Sequence, residues 1–193
     1  RVIPVDTDGE DHAWYRAMLN VLFSPMRVAA LEQSMRELAR ELIASFAAKG
    51  RCEFIGDFAR PLPVTIFLRL MGFPVDRMEE FLTWEAGIIS GTDLAERQWA
   101  VTQIKAFLME AIAERRANPG NDLLSELAGR EVAGRKASDI ELFGMAINLF
   151  LGGLDTITSM AGWHFRHMAM HPEQQAMLKA DPALVPVALE ELL

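Results

Sequence analysis

The chain has 193 residues, of which 51% are hydrophobic, so it can bury a core and is not intrinsically disordered. Its 27 acidic and 19 basic side chains give a formal charge of -8, which disfavours nucleic acid as a partner and favours small molecules or proteins. The single cysteine, Cys52, excludes an internal disulfide and a multi-cysteine metal site, and we interpret it as a small core residue.

The first residues lack the pattern of a secretory signal. The most apolar run, Leu142 to Leu154, is shorter than the roughly 18 to 20 residues that cross a bilayer. We therefore expect a cytoplasmic protein without a membrane segment.

Apolar residues recur three or four apart along most of the chain, which predicts a mainly α fold. In chain order, a helix begins after Ser24 and ends at Gly50, and another runs from Pro61 to Gly72. Asn121 is the predicted cap of a short later helix. Capping boxes are expected at three further helix starts: Asp76 with Glu79, Asp93 with Glu96, and Ser138 with Glu141.

Two features follow in the last third of the chain. Glycines bracket a polar strip at residues 129–135, which predicts a small β hairpin. A long helix then continues from Ser138 to Met170, about 32 residues or roughly 48 Å. Two shorter helices follow, and Leu193 falls within a helical pattern, so residues 1–193 are expected to be one partial domain.

The long helix carries an unusual group of residues at its centre. Gly152 and Gly153 remove side-chain bulk and favour a local kink, and each costs about 1 kcal/mol in a helix interior. Asp155 is a lone charge in an apolar stretch, and a buried carboxylate is costly unless it is paired or protonated. Either a ligand approaches the glycines, or another helix crosses them while Asp155 pairs with an arginine.

Two smaller groups have competing interpretations. His12 and Arg16 lie four apart and can jointly hold an anion, or they are solvated surface residues. His164, His167 and His171 share a helix face, but no carboxylate at a matching spacing completes a metal site, and cationic residues are common at helix ends.

Five motifs in order resemble the central part of a bacterial cytochrome P450 of the class I, camphor-hydroxylase type. They are His12-Ala13-Trp14-Tyr15-Arg16, Phe23-Ser24-Pro25, Leu70-Met71-Gly72-Phe73-Pro74, Gly152-Gly153-Leu154-Asp155-Thr156 and Glu190-Glu191-Leu192-Leu193. The last resembles the start of the Glu-x-x-Arg motif, with its arginine expected after Leu193. The resemblance implies a partial P450 fold, from the C helix to the start of the K helix, with the long helix as the central I helix.

The resemblance also implies site residues. His12 and Arg16 would bind the propionates of haem b, and Gly152 and Gly153 would leave room for O2 and substrate on the distal side of the haem. Asp155 and Thr156 resemble the acid and alcohol pair that delivers protons there.

Substrate contacts are implied at Asn148, Leu151 and Gly87. Asn148 is polar where an apolar residue is expected. Ile88 stands where the camphor enzyme has a basic partner for the aspartate, so Asp155 is expected to have another partner.

The axial cysteine lies in a Phe-x-x-Gly-x-x-x-Cys loop that the resemblance places after Leu193, so no residue here is expected to bind iron. The complete protein would insert one oxygen atom from O2 into a small hydrophobic substrate, of which a terpenoid-like molecule is one example, while this fragment alone would be inactive. Electrons would come from NAD(P)H through a reductase and a [2Fe-2S] ferredoxin, with Arg16 as a contact. The alternative is a non-catalytic helical module that binds a ligand in a hydrophobic pocket.

Overall fold

A computed structural model describes residues 1–192 and confirms a mainly helical fold. Short 3-10 turns occur at Val21–Phe23, Val75–Arg77 and Pro182–Leu184, and a π-helical turn spans Ile55–Ala59. The α-helices are α1 Gly9–Asn20, α2 Pro25–Ala47, α3 Pro61–Met71, α4 Met78–Ser90, α5 Leu94–Ala117, α6 Leu123–Gly129, α7 Asp139–Leu154, α8 Thr156–Met170, α9 Pro172–Ala180 and α10 Val185–Leu192; the strands are β1 Glu131–Val132 and β2 Arg135–Lys136. Leu193, the last residue of the predicted terminal helix, lies outside the described residues.

The predicted hairpin is present. Strands β1 and β2 are antiparallel, with Val132 opposite Arg135. The two residues between them, Ala133 and Gly134, have φ values of 53° and 75°. Positive φ at both central positions is typical of a type I′ turn, whose twist matches that of the strands.

Of the four predicted caps, the capping box at Ser138 is confirmed in full and the one at Asp93 is confirmed in part. Ser138 accepts a hydrogen bond from the backbone N–H of Glu141, whose carboxylate accepts one from the N–H of Ser138, so this capping box is complete. Asp93 caps Glu96 as expected, but the Glu96 carboxylate binds the N–H and hydroxyl of Thr92.

The other two predicted caps are wrong. The chain makes a 3-10 turn at Val75–Arg77 before α4 begins at Met78, so Asp76 is already inside a turn and cannot cap Glu79. At α6 the cap is Asp122 rather than Asn121, because the Asp122 side chain accepts from the N–H of Ser125. A shift of one residue in where the helix begins decides which polar side chain accepts from the free N–H groups of its first turn.

The predicted long helix is interrupted at Asp155, which separates α7 from α8. Asp155 has φ -101° and ψ -36°, and the Thr158 hydroxyl donates to the Leu154 carbonyl over 3.0 Å. The two glycines just upstream lower the resistance of the helix to such a distortion. The expectation of a kink is therefore confirmed, and that of an unbroken helix is wrong.

Helix α7 is the centre of the core. It packs against α3, α4, α5 and α6, and Met145 and Phe150 are fully buried. Aromatic rings from four helices and the loop after α3 meet there, mostly edge to face: Phe67, Phe73, Phe81, Trp84, Phe107 and Phe150. The core therefore fixes where the break at Asp155 lies relative to α3 and α4.

The stretch Asp139–Met170 has 32 residues, its most apolar window has a mean hydropathy of 1.4, and it is long and apolar enough to cross a membrane by length and composition alone. The prediction of no membrane segment was based only on the uninterrupted apolar run Leu142 to Leu154 and did not consider this longer stretch. The core helix of a globular protein meets the same criteria, and burial accounts for the apolar residues of α7, whereas Trp163 and Phe165 of α8 are exposed.

Candidate functional site

Helix α1 is held by two aromatic side chains. The indole N–H of Trp14 donates to the Val132 carbonyl over 3.0 Å, and the hydroxyl of Tyr15 donates to Glu141 over 2.8 Å. His12 and Arg16, four residues apart on the same helix, are both exposed. The predicted pair therefore lies on the outward face of a fixed helix, with two cationic or donor groups available to an anion.

The two central glycines have different surroundings. A Cβ at Gly152 would have no atom within 4 Å, whereas a Cβ at Gly153 would lie 2.5 Å from a ring carbon of Phe67 on α3. Only Gly152 leaves open space. Gly153 is needed for the close approach of α3, so helix packing explains this glycine, and the room for a ligand at Gly152 stays a prediction.

Asn148 lies one turn before Gly152, and both line an apolar cleft of about 340 Å³. Phe23 and Phe67 form part of its wall. Leu151 is half-buried and packs against the core instead. The structure thus brings Asn148 together with both glycines, and it places Leu151 apart from them.

Gly87 lies where α4 crosses α5. It is buried, and a Cβ there would lie 2.7 Å from the Cβ of Ala100. Close helix packing explains the glycine, so the predicted substrate contact gains no support from its position.

Asp155 and Thr156 are both exposed at the break between α7 and α8. This corrects the expectation of a buried carboxylate. The Ser159 hydroxyl lies 3.3 Å from each carboxylate oxygen of Asp155, and no ion pair to Asp155 forms within residues 1–192. The acid and the alcohol are adjacent to Gly152 and Gly153, as the spacing predicts.

Sequence reasoning missed a second acid beside Asp155. Glu85 on α4 is only 7% exposed and lines a cleft of about 340 Å³ with Asp155, Arg60 and Thr158. Burial raises the pKa of the Glu85 carboxyl, the charge of Asp155 raises it further, and Arg60 lowers it. A signal was present, because Glu85 follows Phe81 by four residues and so lies on the apolar stripe of α4.

The remaining candidate residues, three histidines and Cys52, do not form a common site within residues 1–192. His164 contacts the Leu192 carbonyl over 3.1 Å, whereas the ring centroids of His167 and His171 are 4.2 Å apart. Cys52 is exposed, so its interpretation as a core residue is wrong. The turns on either side of it leave its side chain outside the helical core.

Residues 76–182, more than half of the chain, match the family model described as Cytochrome P450. The chain belongs to the cytochrome P450 family. This segment includes the long helix with Gly152, Asp155 and Thr156. Membership favours a P450 over the alternative of an unrelated ligand-binding module.

This chain is similar to several other P450s, which have different names. The chain is 33% identical over 193 residues to a probable cytochrome P450 127A1 of Sinorhizobium fredii, covering 100% of this chain and 46% of the relative. It is 29% identical to a steroid C26-monooxygenase of Mycobacterium tuberculosis, covering 98% and 53%. A myxobacterial P450, CYP267B1, solved with myristic acid, has a TM-score of 0.90 at 31% identity, covering 97% and 48%. The chain spans about half the length of these relatives.

P450s bind haem through a cysteine thiolate. Cys52 does not match the Phe-x-x-Gly-x-x-x-Cys pattern, since Ser45 and Ala48 stand where the pattern has phenylalanine and glycine. The described residues do fit the other requirements of the group. His12 and Arg16 offer donors to its carboxylates on one exposed helix face, and Gly152 leaves space for a flat ring to approach the backbone.

Proposed function

We propose that the complete protein is a haem-dependent monooxygenase that inserts one oxygen atom from O2 into a small hydrophobic substrate. Family membership is the observation that carries this proposal. A relative named as a monooxygenase and one solved with a fatty acid support the reaction type and an apolar substrate.

His12 and Arg16 would hold the carboxylates of haem b. Both are exposed, and Trp14 and Tyr15 fix the helix that carries them, so little conformational entropy is lost when an anion binds. Haem, when bound, supplies the activation of O2. Arg16 is also a candidate contact for an acidic ferredoxin, through which a reductase would pass electrons from NAD(P)H.

Asp155 and Thr156 would deliver protons. Asp155 reaches solvent and can exchange protons with water, and Thr156 presents a hydroxyl on the next residue. The break places Asp155 between the two helices and Thr156 at the first position of α8. An acid that exchanges protons with solvent next to a hydroxyl is what stepwise proton transfer needs.

Asn148 is the strongest of the three candidate substrate contacts, whereas Leu151 packs against the core and Gly87 lies at a helix crossing. The cleft that Asn148 shares with Gly152 is mostly apolar, with one amide to orient a polar group of the substrate. Within the family, the Gly152-Gly153-Leu154-Asp155-Thr156 sequence favours the class I, camphor-hydroxylase type, and a cytoplasmic location follows from that assignment.

The test uses the full-length protein with haem, reductase and ferredoxin. Thr156→Ala is expected to keep NADH consumption but to divert it from product to hydrogen peroxide. Thr102→Ala is the matched control, because the exposed Thr102 hydroxyl on α5 donates to the Gln98 carbonyl and does not line the cleft that contains Asp155. Full coupling in Thr156→Ala would contradict the proposed role.

A second measurement tests haem binding. Arg16→Ala should lower the fraction of protein that retains haem, read from the Soret absorbance, because one donor to a carboxylate is lost. Arg36→Ala is the control, since Arg36 is exposed on α2 and within residues 1–192 its ion pair is with Glu32 alone. Equal haem retention in both variants would refute the placement of the carboxylates at α1.

A further inference from the structure

Glu85 is a buried carboxyl group that the proposed chemistry does not use. It is 7% exposed, and within residues 1–192 its carboxyl makes no hydrogen bond and no ion pair. A carboxylate in such a place is costly unless a proton or a cation compensates it. The side chain lines the same cleft as Asp155.

The charged groups that face Glu85 come from three elements. Asp155 lies at the break between α7 and α8, Arg60 immediately precedes α3, and Glu79 lies on α4 itself. Three carboxyl groups therefore share one guanidinium, and Arg60 is exposed, so water screens its charge. The cleft cannot stabilise all three acids as anions equally well, and burial disfavours the charged form most at Glu85, the most buried of them.

We propose that Glu85 is a positioning residue that holds a proton for Asp155 and exchanges it with that side chain. The proposal rests on the proposed function, since it assigns Glu85 a role only if Asp155 delivers protons. When Asp155 has given up its proton, the Glu85 carboxylic acid donates its own to Asp155 through water in the shared cleft. Glu85 is left as a carboxylate and takes up one proton from water, so each cycle transfers one proton from solvent and leaves both acids unchanged.

Two features favour this role over a merely structural one. An apolar residue would fill the stripe of α4 at lower cost, because it would carry no charge to desolvate. In addition, Glu85 forms no ion pair with Arg60 within residues 1–192, although both line the cleft. A structural acid is expected to form the ion pair.

The first test measures protonation directly in the full-length haem protein. Infrared difference spectra recorded during a pH titration should contain the C=O band of a protonated carboxyl group near neutral pH. The band should shift in D2O and should be missing in Glu85→Gln, but it should remain in Glu79→Gln. Absence of the band in the wild type, or its persistence in Glu85→Gln, would overturn the proposal.

The second test measures turnover. Glu85→Gln should lower the coupling of NADH to product by about tenfold, less than the roughly hundredfold or more that direct acid–base catalysis contributes. It should also increase the solvent isotope effect, and Glu85→Asp should restore part of both. Equal effects in Glu79→Gln would assign the result to net charge and refute a role of position.

The two proposals fail separately. If Thr156→Ala uncouples turnover and Glu85→Gln does not, the role of Glu85 is wrong and the proposed function stands. If neither variant alters coupling while the infrared band behaves as expected, the proton on Glu85 is confirmed but proton delivery through Asp155 is refuted. A Glu85→Gln protein that does not fold leaves the wild-type titration and Glu85→Asp to decide.

Discussion

The adjacent glycines of the central helix give a sharp test, because the same substitution at two neighbouring residues should have opposite effects. At Gly152 a new methyl group meets no atom of residues 1–192 within 4 Å, so Gly152→Ala should stabilise the full-length protein without haem by up to about 1 kcal/mol through helix propensity alone. At Gly153 the methyl would lie 2.5, 2.9 and 3.0 Å from three ring carbons of Phe67. Relieving such overpacking costs about 1 to 3 kcal/mol, which equals or exceeds the same propensity gain.

The two variants should therefore differ by about 1 to 3 kcal/mol in unfolding free energy. The assay is urea unfolding of the full-length protein without haem, followed by circular dichroism at 222 nm, the usual helix wavelength, with equal slopes required for the comparison. A double-mutant cycle with Phe67→Leu supplies the control, since a smaller side chain should relieve the penalty at Gly153 but not at Gly152. Equal stabilities, or a cycle without coupling, would refute the assignment of Gly153 to helix packing.

Three further predictions concern stability. Ser138→Ala removes a complete capping box and should cost about 1 kcal/mol in urea unfolding, and no loss would refute the cap. Asp122→Ala removes both the α6 cap and the 3.3 Å ion pair with Arg115, so about 2 to 3 kcal/mol is expected, and a loss no larger than that of Ser138→Ala would contradict it. Because the pKa of Glu85 is raised in the folded state, its contribution to stability is present at acid pH and is lost as the pH rises through that raised pKa. Glu85→Gln should remove this decline, and unfolding midpoints at several pH values check it.

The sequence alone was sufficient for features that depend on a few neighbouring residues. The hairpin follows from Gly134, whose positive φ few other residues adopt, and the α7 start follows from the reciprocal bonds of Ser138 and Glu141. The break at Asp155 was anticipated from the glycines before it. The exact position of the break could not be predicted from the sequence, because any residue of the weakened turn can adopt the distorted backbone.

Helix α2 illustrates where periodicity misleads. Its apolar residues fall three or four apart, which predicts a buried face, yet Leu38 alone is buried among the described residues of this helix and Val28 is 51% exposed. An apolar stripe shows only that a helix has a face that another element can cover. Whether an element lies against that face depends on the tertiary structure. The interpretation of Cys52 as a core residue was wrong for a related reason, because the sequence does not show whether other residues cover its side chain.

The sequence by itself determined the helical class, the helix boundaries set by proline and glycine, and the acid and alcohol at Asp155 and Thr156. Only the tertiary structure decided that Gly152 is open while Phe67 closes over Gly153, and that Glu85 lines a cleft with Asp155. The physical reason is distance along the chain. Caps and turns are governed by bonds among residues within four positions, whereas burial, packing and the pKa of Glu85 depend on groups many residues away that only the folded core brings together.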